Sequence, residues 1–248
     1  MSFKSIGMHL ENFKYEFRPI GFLKSCYPDK FGVPRQSGIV SKAYSELSIS
    51  AQWQPELALE GLSGFSHVWI VFVFHLNNSA RYHAKVHPPR MDGASMGVFA
   101  TRSPHRPNPI GLSLVEIIEV QKDKVIFAGA DLVEGTPVLD IKPYLPQFES
   151  QPDARSGWST VQGVKNIEVQ FSDLGRSDLK KWIEKTGRIE LEEVIVQILQ
   201  QDPRPVVYKG FESQNSPYRN KHRFRLYEGD IEFEFLTSEI VRVIEIKF

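Results

Sequence analysis

Between residues 18 and 144 the chain is built almost entirely of short β-type runs. Residues 18–27, 38–49, 66–75, 112–120, 124–132 and 136–144 are rich in β-branched and aromatic residues, and Pro, Gly, Asn or Asp punctuate them. One short helix is expected over 55–62, and a turn around 121–123 joins two of the runs. Strands and helices do not alternate, which argues against a doubly wound parallel sheet. A predominantly antiparallel sheet or small barrel is expected instead. "FSHVWIVFVFH", residues 65–75, is apolar at nearly every position and predicts a central strand buried on both faces.

The pattern changes at "PQFESQPDARSGWST", residues 146–160, a polar and turn-forming stretch that reads as a linker. Beyond it a strand is expected over 166–171 and helices over 177–186 and 189–201, with Gly187 ending the first. In "HRFRLYEGDIEFEFLT" two alternating runs flank a Glu-Gly-Asp turn, a hairpin signature, and a last strand follows over 240–248. The fold class expected is therefore mainly β. A barrel-like N-terminal domain over 16–150 is followed by a smaller α+β domain over 160–248.

A chain of 248 residues buries enough surface to need no disulfide or metal staple, and Cys26 is its only cysteine. That excludes an internal disulfide and any site built on several thiolates, and it fits a reducing compartment. The N-terminal stretch is broken by Lys4, His9, Glu11 and Lys14, unlike the apolar core of a signal peptide. The longest apolar run, 68–74, falls far short of the roughly 20 residues a membrane helix needs. A cytoplasmic protein without membrane attachment is expected.

Lys and Arg, 30 in all, balance 30 Asp and Glu, but not locally. From 81 to 106 the chain carries five Arg or Lys and three His against one acid, Asp92, and 215–227 carries four basic residues and no acid. Local patches, not the total, govern phosphate binding. "GVFATRSPHRPNPIGLS", residues 97–113, is the sharpest feature. Its prolines 104, 107 and 109 exclude a helix interior or a central strand, so it is a stiff cationic loop between regular elements. There is no Walker A sequence, no Gly-x-Gly-x-x-Gly and no Gly-x-Ser-x-Gly. His83 and His87 have a helical metal-ligand spacing, but Pro88 and Pro89 follow at once, and no metal site is expected. Asp140 and Lys142 stand in an apolar run, where they are either paired or both directed to solvent on one strand face.

"VPRQ" (33–36), "GLSGFSHVWIVFVFH" (61–75), the 97–113 stretch and "DLVEGTPVLDIKPYLP" (131–146) together resemble the TsaA-like domain. "QDPRPVVYKG" (201–210) resembles the second domain of its bacterial TrmO members, the tRNA (adenine(37)-N6)-methyltransferases. The resemblance implies S-adenosylmethionine as methyl donor and a β-barrel unlike Rossmann-type methyltransferases. It also implies a homodimer with its site near the subunit interface. The acceptor it implies is N6 of N6-threonylcarbamoyladenosine, beside the anticodon of threonine tRNAs.

Carried onto this sequence, the resemblance assigns the donor site to Pro34, Arg35, Gln36, His75, Leu76, Arg102, Leu112, Leu139, Asp140, Ile141, Lys142 and Pro143. The family often has Gln where this chain has Leu76. On chemical grounds Arg35 or Arg102 suits the donor carboxylate, Asp140 its ammonium or ribose hydroxyls, and Leu112 and Ile141 its adenine. Asn108, with Arg102, is the expected catalytic pair, since an acceptor on the stiff loop would orient the weakly nucleophilic N6 amine. Arg90, Arg106, Arg219, Lys221, Arg223 and Arg225 are the expected contacts to tRNA, with Tyr218 and Phe224 as possible stacking surfaces, Phe224 being better suited to the core. The alternative is a non-catalytic S-adenosylmethionine- or RNA-binding module of the same fold.

Overall fold

The computed structural model describes residues 14–77, 82–88, 93–160, 167–204 and 220–248. The N-terminal part runs β1 (Gly21–Ser25), β2 (Tyr44–Ile49), α1 (Pro55–Ala58), β3 (His67–Val73), β4 (Lys85–Val86), β5 (Met96–Gly97), β6 (Ile110–Val120), β7 (Lys124–Ala128) and β8 (Thr136–Pro143). Strands β1-β2-β7-β6-β3-β8 close in that order into a barrel with every pairing antiparallel. Leu47, Val68, Ile70, Val125, Phe127 and Val138 fill it and are wholly buried. Each such side chain contributes about 1.5–3 kcal/mol of burial.

Strand β3 corrects one expectation. Its residues alternate between half-buried and buried rather than being buried on both faces. A closed barrel has only one inner face, so Val68, Ile70 and Phe72 point in, and Trp69 lies outside. There its indole N–H donates to Glu149 Oε1 at 2.9 Å and its ring meets Tyr144 edge-on. Gly111 is required by the same packing: a Cβ there would stand 2.2 Å from the Phe72 ring. The strand expected over 38–49 is formed only from Tyr44, and the one expected over 124–132 stops at Ala128, where Gly129 takes a φ of +74°.

The linker contains α2 (Pro146–Glu149) and a short helical turn at Gly157–Thr160. Then follow β9 (Glu168–Phe171), α3 (Asp173–Thr186), α4 (Leu191–Gln200), β10 (Lys221–Leu226), β11 (Gly229–Phe235) and β12 (Ile240–Lys247). The sheet order is β10-β11-β12-β9, with β9 parallel to β12. Gly187 ends α3 in the left-handed conformation at φ 72°, as its sequence predicts. The helix starts earlier than expected, because the Ser172 hydroxyl accepts from the Gly175 N–H as an N-cap. The hairpin turn lies at Tyr227 and Glu228, one residue earlier than the Glu-Gly-Asp reading, since Leu226 pairs with Gly229.

The two parts share a core. Cys26, Tyr27, Val40 and Ala43 pack with Trp182, Phe224 and Phe233 of the C-terminal sheet and helices. The Tyr227 N–H donates to the Cys26 carbonyl at 2.7 Å. Burial pushes the Cys26 thiol up to about 12, so it stays protonated and serves as a small apolar residue. Residues 26–43, which run into the Pro-Arg-Gln segment, are therefore held by both halves of the molecule.

Candidate active site

At one end of the barrel, the segment after β1, the end of β3, the 101–106 loop, the start of β6 and the β7–β8 connection surround a cavity of about 540 Å³. Pro34, Arg35, Gln36, His75, Leu76, Arg102 and Leu112 all line it. These sequence-distant segments meet because β3 and β6 pair antiparallel, which sets Val73 opposite Ile110 and Val71 opposite Leu112. Phe72 and Phe74, with ring centres 4.9 Å apart, form part of the apolar wall. Burial lowers the proton affinity of the His75 imidazole below its ordinary value of 6.5, which keeps it neutral at pH 7.

The cations around the cavity differ in what holds them. The Arg35 guanidinium donates to the Asp202 carbonyl at 3.0 Å, and its backbone N–H to Gln201 Oε1 at 3.4 Å, so the end of α4 braces the Pro-Arg-Gln segment. Asp202 itself is buried, has a φ of +48°, and is gripped by the buried Arg204 through Nε at 2.8 Å and Nη2 at 3.1 Å. Lys30 donates to the Leu76 carbonyl, so that position meets its neighbour through backbone whatever its side chain. Arg106 donates to the carbonyls of Thr101 at 2.8 Å and Val98 at 3.4 Å and lies over the Phe99 ring. It ties the proline loop together from within. Arg102 is exposed; its guanidinium donates to Gln36 Oε1 at 2.8 Å, and among the described residues it has no ion pair. Of these cations it is the one best presented to an anion.

Several expected residues stand elsewhere. Leu139, Asp140, Ile141, Lys142 and Pro143 lie on β8 and do not line this cavity. Asp140 and Lys142 face outward opposite Val71 and Trp69 and pair with each other at 2.7 Å. Asn108 is exposed on the proline loop, outside the lining, with its carbonyl accepting from the Ile110 N–H at 2.7 Å. Lys221, Arg223 and Arg225 occupy one exposed face of β10. There the acids of β11 answer them: Lys221 pairs with Glu232 at 3.4 Å, and Arg223 pairs with both Glu232 and Asp230. These ion pairs hold the Glu232 carboxyl below its ordinary value. Phe224 is core, not a stacking surface. Arg90, Arg219 and Tyr218 lie outside the described residues.

Two features escaped the sequence reading. Asp131 enters the cavity from the β7–β8 connection and accepts from the buried Ser113 hydroxyl of β6 at 2.5 Å. Burial holds its carboxyl above the ordinary value, while Ser113 and the charge of Arg102 act in the opposite sense. Second, Arg35, Gln36 and Arg102 also face an adjoining hollow of about 850 Å³ that is bordered by His87, Phe99 and Trp158. The Trp158 indole N–H donates to the Ala100 carbonyl at 2.8 Å, which brings the linker onto the proline loop. Among the described residues no group of three or more His, Cys, Asp or Glu is set to hold a metal ion, and no helix is long and apolar enough to cross a membrane. His83 lies edge-on to His105, with ring centres 6.5 Å apart.

A mainly antiparallel barrel with a cationic cavity at one end and an α+β appendage bracing it defines the class of protein. Comparison with known sequences and structures gives the family. Residues 22–150 match the tRNA-methyltransferase O N-terminal domain and residues 164–248 the TrmO C-terminal domain. The chain is 45% identical over 204 residues to the tRNA (adenine(37)-N6)-methyltransferase of Escherichia coli K12, covering 80% of this chain and 86% of that protein. It is 40% identical over 186 residues to the Eikenella corrodens protein of the same name, covering 73% and 96%. The crystal structure of TrmO from Pseudomonas aeruginosa superposes with a TM-score of 0.78 at 32% identity, covering 95% of this chain and 99% of that one. The chain belongs to the tRNA-methyltransferase O family.

Proposed function

We propose that this protein transfers a methyl group from S-adenosylmethionine to N6 of N6-threonylcarbamoyladenosine at position 37 of threonine tRNA. The observation that carries the reading is the convergence of Arg35, Gln36, His75, Arg102 and Leu112 on one cavity in a chain of this family. The residues present fit the donor: an arginine not ion-paired for the carboxylate, one carboxylate for a cation, and Leu112 and the Phe72–Phe74 wall for an adenine. When bound, the donor supplies an electrophilic methyl on a sulfonium, and the displacement needs little covalent help from the protein.

What the chain contributes is position, and aligned reactants reach effective molarities of about 10⁵ M or more. Arg102 and Gln36 stand between the two hollows, so the donor occupies the smaller one and the acceptor nucleotide approaches through the larger. Arg106 and the three prolines hold this partition rigid. Asn108 and the carbonyls of the loop are the acceptors for the N6 proton side. Phe99, 73% exposed beside Arg106, offers a base-stacking surface.

We also infer a homodimer in which β8 of a second copy brings residues 139–143 to this cavity. Mixing Asp140→Ala with Arg102→Ala protein tests it. Recovered activity supports a shared site, and none refutes it. The reaction itself is tested with bulk tRNA from cells lacking the gene, incubated with protein and S-adenosylmethionine and digested to nucleosides for mass spectrometry. A single added methyl on N6-threonylcarbamoyladenosine, lost with Arg102→Ala, is the expected result. Tight donor binding with no methylated nucleoside would leave a binding module.

A further inference from the structure

We infer that Asp131 and Arg102 together form a clamp for the amino-acid end of the methyl donor, Asp131 taking the α-ammonium and Arg102 the α-carboxylate. The inference rests on the donor reading above. It starts from charge. Among the described residues lining the cavity, Asp131 is the only carboxylate, against Lys30, Arg35, Arg102 and Arg106. S-adenosylmethionine carries two positive charges and one negative, so a cavity with this lining and no acid would repel it. Asp140, which sequence reasoning offered for the ammonium or the ribose hydroxyls, is on the outside of its own chain's β8 and paired with Lys142, so the Asp140 that a second copy would bring is left for the ribose hydroxyls.

Geometry then separates Asp131 from an ordinary structural acid. A carboxylate that shares a cavity with four cations would be expected to form an ion pair, yet among the described residues Asp131 has none. Lys30, Arg35 and Arg106 donate to the carbonyls of Leu76, Asp202 and Thr101. Arg102 is turned toward Gln36. Even so, the charge of Arg102 is felt at Asp131. An acid and a base that sense each other across a cavity without touching leave room between them for a ligand bearing both charges, and an α-amino acid is such a ligand. Ser113, 3% exposed on β6, fixes the carboxylate through Oδ1, and the neighbouring Thr136 is also buried. The carboxylate is thus oriented by the barrel wall before any ligand arrives.

The test is calorimetric titration of the full-length protein and its Asp131→Asn variant with three probes. S-adenosylmethionine has the ammonium and the sulfonium, S-adenosylhomocysteine keeps only the ammonium, and 5′-methylthioadenosine has neither. The variant is expected to bind the first two about tenfold to hundredfold more weakly and the third within about twofold of wild type. Ser113→Ala, which keeps the charge but removes one of the carboxylate's hydrogen bonds, is expected to give the same ligand pattern with a smaller loss. A loss confined to S-adenosylmethionine would assign Asp131 to the sulfonium and overturn the clamp. Equal losses for all three, or none, would overturn it as well. If wild type binds none of the three, the donor reading itself fails, and the clamp with it.

Discussion

The proline loop and strand β10 are equally basic as text, and they do different things in space. In the loop, arginines donate to backbone carbonyls or to a neutral amide, so Arg106 and Arg102 keep their net charge while being held in place. On β10, every second residue is basic, but antiparallel pairing sets Lys221, Arg223 and Arg225 opposite Glu234, Glu232 and Asp230 of β11. For Lys221 and Arg223 the charge is answered across the ladder by residues that lie just beyond the basic tract in sequence, while Arg225 has no ion pair among the described residues. A cluster of cations is therefore a binding surface only where the adjoining element fails to supply carboxylates. In this fold that condition is met at the cavity and only partly on the C-terminal sheet.

The sharpest way to break the comparison is at Arg102. Arg102→Ala removes one of the two arginines that face both hollows, the one turned to the Gln36 amide, and donor-dependent methylation is expected to fall at least about a hundredfold. That is the scale of losing a charge-assisted contact made at the reacting centre. Arg106→Ala, by contrast, acts through the loop it ties together. A loss of similar size from Arg106→Ala alone, with Arg102→Ala near wild type in single-turnover assays, would reverse the assignment of the two roles.

Arg204 is the opposite extreme, a cation buried with its carboxylate. Arg204→Ala leaves Asp202 without this partner in the interior, and removing one member of a buried pair costs about 3–5 kcal/mol. Because the Asp202 carbonyl also accepts from Arg35, the KM for the methyl donor should rise more than kcat falls. Thermal unfolding and steady-state kinetics on the same preparation check both halves. A melting temperature equal to wild type would mean the brace is not mechanical.

On β10 the expected effects are smaller and differ in sign. Arg225 has no ion pair among the described residues, so Arg225→Ala should weaken tRNA binding several-fold if the sheet touches RNA. Arg223→Ala should stay within about twofold, since that side chain is already neutralised by Glu232. Glu232→Gln releases Lys221 and leaves Arg223 only its 3.7 Å pair with Asp230, and should tighten binding and steepen its salt dependence. Filter-binding titrations at several salt concentrations measure all three. If none responds, the C-terminal sheet serves only as the brace for Arg35.

The barrel was readable because its strands are local patterns: alternation or apolar runs, bounded by Gly and Pro, as at Gly135 and Pro109, although the stop at Gly129 was missed. What could not be read were contacts between distant segments. The first turn of α3 is polar and interrupted by Gly175, a poor start for a helix as text. Yet Gly175 is needed there because a Cβ would come within 2.9 Å of the Val243 carbonyl of β12. The outward orientation of Asp140 and Lys142 was one of two readings their spacing allowed, and only the register with Val71 and Trp69 decides it. Asp131 gave almost no signal. It is a lone acid after a strand, and its partners Ser113 and Arg102 come from β6 and the proline loop. The one available hint was that the same residue opens the family-like segment 131–146.

Asp131 also supplies the smallest effect and the cleanest sign. Burial outweighs Ser113 and Arg102 and holds its carboxyl above the ordinary value of 3.8. An acid whose pKa is higher in the folded than in the unfolded state binds more protons when folded. Its ionised form is thus a burden on the fold that is absent below about pH 3.8 and grows as pH rises through the folded value. Asn cannot ionise and escapes that burden. The melting temperature of Asp131→Asn minus that of wild type should therefore increase between pH 4 and pH 7, by a few degrees at the most. The same substitution is expected to weaken donor binding, so charge at this position serves the ligand at the expense of the fold. A difference that instead shrinks toward neutral pH would show that the folded protein favours the carboxylate. Arg102 would then be its standing partner in the absence of ligand, and the separation between the two groups on which the clamp depends would be lost.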